Sequence, residues 1–194
     1  MKQVTISGNV TRYVRKILRA LRNFGVVQRI ERELIEIDDD SVIDEALEQL
    51  PPHYIIQKEY FCFNRSIDYI VIGPTGIFVI GVMFHRGTVE RMGEDHLLLN
   101  NRRPQKDFIR LMKEKMSELQ TLLKEQTGGD WRLQPILCFT RAYIKTRGEI
   151  SGVPVIPVTE LVQKIKLQPV ILDRYDVMRV AGCLKGDNSV SQSR

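Results

Sequence analysis

RSIDYIVIGPTGIFVIGVMFHRGTV, residues 65–89, reads as two β-strands joined by a tight turn. Ile67, Tyr69 and Val71 alternate with Asp68, Ile70 and Ile72, and the run is rich in β-branched residues, as a largely buried strand should be. Gly73-Pro74-Thr75-Gly76 is a turn signal: two glycines are free to take positive φ, and a proline fixes its own. Ile77 to Phe84 returns as a second apolar strand. Asp68 is the one acid inside the first strand. A carboxylate there needs a partner, a metal or an opening to water, because burying it bare costs several kcal/mol, on the order of a whole domain's margin.

Working outward, Tyr54 to Phe61 is the expected preceding strand. Before it, Asp38-Asp39-Asp40 leads to Ser41 as an N-cap, with Asp44 at the capping-box position, and a helix from Val42 to Leu50 that stops at Pro51-Pro52. After the hairpin, Gly87 to Arg91 and His96 to Leu99 read as short strands around Gly93-Glu94-Asp95. Arg102-Arg103-Pro104-Gln105 opens a long helix to Glu125, striped by Phe108, Leu111, Met112, Met116, Leu119, Leu122 and Leu123, and Gly128-Gly129 ends it. Leu133 to Phe139 and Val153 to Val158 are further strands. Thr159 to Lys166 is a helix, and Asp173 caps a last helix to Leu184. Val26 to Ile37 fits strand or helix equally.

The run Asp68 to Ile80, DYIVIGPTGIFVI, resembles the NERD (nuclease-related) domain, part of the wider PD-(D/E)xK group with the restriction-endonuclease-like fold. "PILCFT" at 135–140, the Pro104-Gln105 pair before the long helix and "VTELVQKI" at 158–165 are similar to other segments of that family. The resemblance implies an α/β fold, a restriction-endonuclease-like mixed sheet flanked by helices. To this the chain adds an N-terminal amphipathic helix. The expected divisions are 1–37 for the basic helix and its connection, 38–168 for the NERD-like domain, 169–185 for a C-terminal helix and 186–194 for a disordered tail. In the family an Asp on one strand is followed by Glu-x-Lys on the next. The acids hold a divalent metal, and the Lys positions or activates the attacking water. Here Gly81 and Met83 stand at the Glu and Lys positions, so of the triad only Asp68 remains.

The chain has 194 residues, 43% of them hydrophobic and 27% charged, enough for one domain with a sizeable core. No run approaches the roughly 20 apolar residues that span a bilayer, and no secretory signal pattern is seen. Cys62, Cys138 and Cys183 are scattered and odd in number, which points to a reducing compartment and a cytoplasmic protein without a zinc site. The net charge of +5 is uneven. Lys2, Arg12, Arg15, Lys16, Arg19, Arg22 and Arg29 are unopposed through residue 30, and an acidic block follows from Glu31 to Glu48. Val10, Val14, Ile17, Leu18 and Leu21 make Thr11 to Phe24 an amphipathic helix. Its basic face suits solvent, the acidic block, a dimer or other protein partner, nucleic acid or an anionic membrane.

Phosphodiester hydrolysis with Mg²⁺ or Mn²⁺ needs hard oxygen ligands, usually two carboxylates. Gly81 offers none, and the Met83 thioether is soft. Relocated groups are the alternative: Asp39, Asp40 or Glu90 as the acid, and Lys106 or Lys113 as the base. His85 is a lone histidine at a strand end, ordinarily a surface or packing residue. The leading expectation is therefore a catalytically inactive, nuclease-related pseudoenzyme that needs no metal and binds nucleic acid or a protein. Arg102, Arg103, Gln105, Lys106, Arg110 and Lys113 are the candidate phosphate contacts at the start of the long helix. A metal-dependent nuclease with relocated residues, and an assembly role through the basic N-terminal helix, are the alternatives.

Overall fold

In a computed structural model of the chain, residues 41–63, 65–145 and 148–187 are described. The expected N-terminal basic helix, Asp38 to Asp40 and the polar tail lie outside the described residues, apart from Gly186 and Asp187. The hairpin forms as the sequence implies. Strands β1 (Ile55–Cys62), β2 (Arg65–Gly73) and β3 (Gly76–Met92) make an antiparallel meander. Gly73 pairs with Gly76, leaving Pro74 and Thr75 as the turn. Neither glycine tolerates a side chain here. A Cβ on Gly73 would stand 2.1 Å from the Tyr54 ring, and Gly76 has φ +134°. The turn is also tied from outside: Tyr54 Oη meets Thr75 Oγ1 at 3.0 Å, Gln134 donates to the Thr75 carbonyl, and Ile171 N–H donates to the Pro74 carbonyl at 2.8 Å.

The second strand is longer than its sequence pattern suggests. Phe84 to Gly87 does not break it; an irregularity between Met83 and Arg86 absorbs the polar interruption, and β3 continues to pair with β4 (His96–Leu99). Parallel to β3 runs β5 (Leu133–Ile144), then β7 (Val153–Pro157), with the two-residue β6 (Glu149–Ile150) antiparallel at the edge. The sheet order is β1-β2-β3-β5-β7-β6, with β4 beside β3. This mixed sheet between helices is the restriction-endonuclease-like architecture.

Alternation along the strands sends two apolar sets to opposite faces. Val71, Ile80, Cys138 and Ile156 meet Ile43 and Leu47 of helix α1 (residues 41–47) and Leu161 and Ile165 of α3 (Val158–Lys166). Ile70, Ile72, Val79, Leu137 and Phe139 meet Met112, Leu119 and Leu123 of α2 (Phe108–Thr127) and Val177, Val180 and Leu184 of α4 (Arg174–Asp187). Residue 41 is already helical, so Ser41 is not the N-cap expected of it. The Asp44 carboxylate accepts from Tyr69 Oη and Lys58 Nζ, both at 2.8 Å. The cap expected at Asp173 does form, with Oδ1 accepting from Asp176 N–H. Cys62 and Cys138 are buried, and burial pushes the Cys138 thiol up to about 12.

Candidate functional site

The pairing of Tyr69 with Ile80 places Asp68 beside Gly81 across β2 and β3. Both face α2, together with Met83, because residues two apart on a strand share a face. Asp68 is half-buried and already engaged. Its Oδ2 accepts the Val82 N–H at 2.8 Å, and Lys115 Nζ of α2 stands 3.9 Å from Oδ1. Met112, one turn earlier on α2, fills the space over Gly81: a Cβ there would lie 2.6 Å from Met112 Cε and 3.9 Å from Asp68 Oδ2. The helix is drawn to this part of the sheet by Arg65 at the start of β2. Its guanidinium pairs with Glu114 at 2.7 Å and Glu118 at 2.8 Å.

These groups do not fit a hard divalent cation. One carboxylate stands alone, its oxygens near a backbone N–H and an ammonium, and over Gly81, which offers no ligand, packs a thioether, a soft group with little affinity for such a cation. Among the described residues no three His, Cys, Asp or Glu side chains gather as a metal-binding group.

The other residues named from sequence fall in several places. Glu90 accepts from Lys145 Nζ at 2.6 Å, a partner other than Asp68. His85 is exposed and meets Phe108 edge-on, with ring centroids 5.4 Å apart. Asp39 and Asp40 lie outside the described residues. Lys113 is exposed and, with Arg132 and Lys164, lines a hollow of about 410 Å³ at the start of β5. Sequence reasoning did not place Lys115 and Met112 beside Asp68, nor Arg65 against α2. The first two were within reach: an apolar stripe through Ile109, Met112, Leu119 and Leu123 puts position 115 at its margin, where an ammonium can meet a strand carboxylate.

The basic cluster does not open the helix as expected. Arg102, Arg103, Gln105 and Lys106 occupy the connection between β4 and α2, all exposed. The helix begins only at Phe108, after Asp107 caps it by accepting from Arg110 N–H at 3.0 Å. The helix N-terminus is thus already met by a carboxylate, so its dipole adds little to phosphate binding here. Arg103 and Gln105 border a shallow hollow with His96 and Phe108, and Arg110 is exposed with Glu114 at 3.6 Å.

Among the described residues no helix is long and apolar enough to cross a membrane. The family model described as NERD, nuclease-related domain, matches residues 38–140, which run through α1, the hairpin, α2 and the first part of β5. Comparison with curated proteins and with solved structures gives no match.

Proposed function

The chain belongs to the NERD, nuclease-related domain family, and from that premise we propose that it is a member without hydrolytic activity that binds nucleic acid through its basic surface. One observation carries the first half: Asp68 is held by the Val82 N–H and faced by Lys115, while Met112 stands over Gly81. A single carboxylate makes a poor site for a hard cation, and no second acid stands at position 81. The second half rests on the exposed cations Arg102, Arg103 and Lys106 of the β4–α2 connection and Arg110 and Lys113 of α2. Phosphate backbones are recognised by such charge without base contacts.

Calorimetric titration with Mn²⁺ at neutral pH and a plasmid-nicking assay test the inactive reading. No specific Mn²⁺ heat and no nicking are expected. Micromolar Mn²⁺ affinity, or nicking, that disappears in both Asp68→Asn and Asp68→Ala would overturn it.

A second reading has one observation in its favour. Lys115 approaches Asp68 from a helix, so a relocated Lys of a working metal-dependent nuclease would have this place. In that case Lys115→Met abolishes nicking while leaving the fold intact.

A further inference from the structure

The parallel ladder between β5 and β7 is short. It pairs Leu137 with Val155, Cys138 with Ile156 and Phe139 with Pro157, yet the two strands begin earlier, at Leu133 and Val153. Two prolines stop it. Val155 N–H donates to the Gly148 carbonyl on the β6 side, and successive residues of a strand turn their backbone groups to opposite neighbours, so Pro154 faces β5. By the same alternation Pro135 faces β7, as Leu137 does. The next rung needs an N–H from Pro135 for the Gly152 carbonyl and one from Pro154 for the Pro135 carbonyl, and proline has none. The strands part here, and the two carbonyls face the gap with no ladder donor opposite.

The gap coincides with the hollow of about 410 Å³ at the start of β5, a volume within the range of small-molecule sites. Lys113 of α2 lines it from one layer of helices and Lys164 of α3 from the other. Leu133 and Val153 supply apolar wall. Of its four charged side chains three are cations, and the one acid, Glu149, stands 3.7 Å from Lys164. Among the described residues no carboxylate lies within ion-pair distance of Lys113 or Arg132. The hollow therefore offers two cations without a counter-charge, two carbonyl acceptors and a patch of apolar wall.

We propose that this hollow binds a phosphomonoester of a nucleoside, with Lys113 and Arg132 on the phosphate and hydroxyl or amino groups of the nucleoside donating to the Pro135 and Gly152 carbonyls. A phosphate dianion answers two cations at once, and the arginine fork matches its oxygens. The carbonyls accept only, so the rest of the ligand has to bring N–H or O–H donors. A bare phosphate would leave most of the volume to water. The proposal is independent of the nucleic-acid reading above. The same phosphomonoester occurs on a free nucleotide and at the phosphorylated end of a strand.

Isothermal titration of the full chain with AMP, UMP, adenosine and inorganic phosphate separates the parts. At least one nucleotide should bind roughly tenfold or more tightly than inorganic phosphate, and adenosine should give no measurable heat. Arg132→Gln should weaken nucleotide binding roughly tenfold or more, the worth of a charge-assisted hydrogen bond, and Arg132→Lys should keep part of it. Thermal melts check that both variants stay folded. Charge reversal at Arg102, Arg103 and Lys106, none of which lines the hollow, should leave nucleotide affinity within about twofold. Two short oligonucleotides, one ending in a 5′-phosphate and one in a 5′-hydroxyl, distinguish the sources. Displacement of the nucleotide by the phosphorylated strand alone assigns the site to strand ends, and displacement by neither assigns it to free nucleotides. No heat from AMP or UMP overturns the proposal, as does nucleotide affinity untouched by Arg132→Gln. Inorganic phosphate binding as tightly as the nucleotides also overturns it, because the hollow then holds an adventitious ion only. If the loop reversal weakens nucleotide binding as much as Arg132→Gln does, the basic surface at large holds the phosphate and the hollow is not the site.

Discussion

The Met112 side chain stands where a side chain at position 81 would begin, 2.6 Å from the Cβ that Gly81 lacks. A glycine at position 81 and the close approach of a helix are here one arrangement. With no Cβ at 81, α2 can lower a buried thioether onto the strand pair and bring Lys115, three residues on, to the remaining carboxylate. Met112 fills the space over Gly81, and the Lys115 ammonium stands 3.9 Å from the Asp68 carboxylate.

Substitution at Gly81 reads this packing directly. Gly81→Ala should cost about 1 kcal/mol or less in urea unfolding, because the clashing atom is the flexible end of Met112 and can swing aside. Gly81→Glu should cost more, roughly 2–4 kcal/mol, since it also sets a second carboxylate next to Asp68. Mn²⁺ should recover part of that loss by raising the Tm of Gly81→Glu, while leaving the wild-type Tm unchanged. A wild-type Tm that rises equally with Mn²⁺ would count against the packing argument.

The two partners of Asp68 make separable contributions. Asp68→Ala leaves the Val82 N–H without its acceptor, worth about 1–3 kcal/mol, whereas Asp68→Asn keeps an acceptor oxygen there. Ala should therefore be the more destabilising change. The pairing with Lys115 is partly open to solvent, so a double-mutant cycle between Asp68→Asn and Lys115→Met should give a coupling of only about 0.5–1 kcal/mol. A coupling near zero would mean that the ammonium does not neutralise Asp68.

The hairpin and the nearness of Asp68 to Gly81 were legible in the sequence because both follow from local pattern. Alternating β-branched residues, a Gly-Pro-Thr-Gly turn and equal spacing about it fix the register. Boundaries set by tertiary contact were not legible. Phe84 to Gly87 looks like a break, yet β5 supplies a parallel partner across it, and Gly87, at φ +101°, takes a conformation that costs other residues more. The long helix starts at Phe108 instead of Arg102 because Asp107 outcompetes the basic run as a cap. The need of Asp68 for a partner was plain from its neighbours, but the identity of that partner depends on how α2 lies across the sheet, and a single strand's sequence carries no record of that.

The buried Cys138 thiol gives the protein an alkaline liability. Its folded value, pushed up to about 12, lies above the ordinary 9.0 of the unfolded chain. Above pH 9 the unfolded state releases this proton and the folded state holds it, so stability is lost as pH rises from about 9 towards 12. Urea melts should show a loss of roughly 1–2 kcal/mol between about pH 9 and 10.5 from this group. The same series on Cys138→Ala, less stable overall because of the cavity, should fall less steeply with pH. Parallel slopes for the two proteins would show that other groups carry the effect.

Charge reversal in the loop before α2 tests where phosphate is held. Arg102, Arg103 and Lys106 are exposed and lie in a connection whose backbone geometry depends on Asn100 and Asp107, neither of which is changed by the substitutions. Arg102→Glu, Arg103→Glu and Lys106→Glu together should leave the thermal melt nearly unchanged, as exposed charges contribute little to stability. Duplex binding in a gel-shift series from low to physiological salt should weaken by a factor of ten or more, on the order of what a few cation–phosphate pairs are worth. Its salt slope should fall by about 0.9 for each phosphate no longer neutralised. A companion variant deleting residues 1–24 removes Arg12, Arg15, Lys16, Arg19 and Arg22, whose charge the acidic run from Glu31 to Glu48 can offset. That deletion should alter the slope less than the triple reversal. If the deletion alone abolishes binding and the triple reversal leaves it intact, the N-terminal segment is the nucleic-acid element, and the loop cations serve solubility.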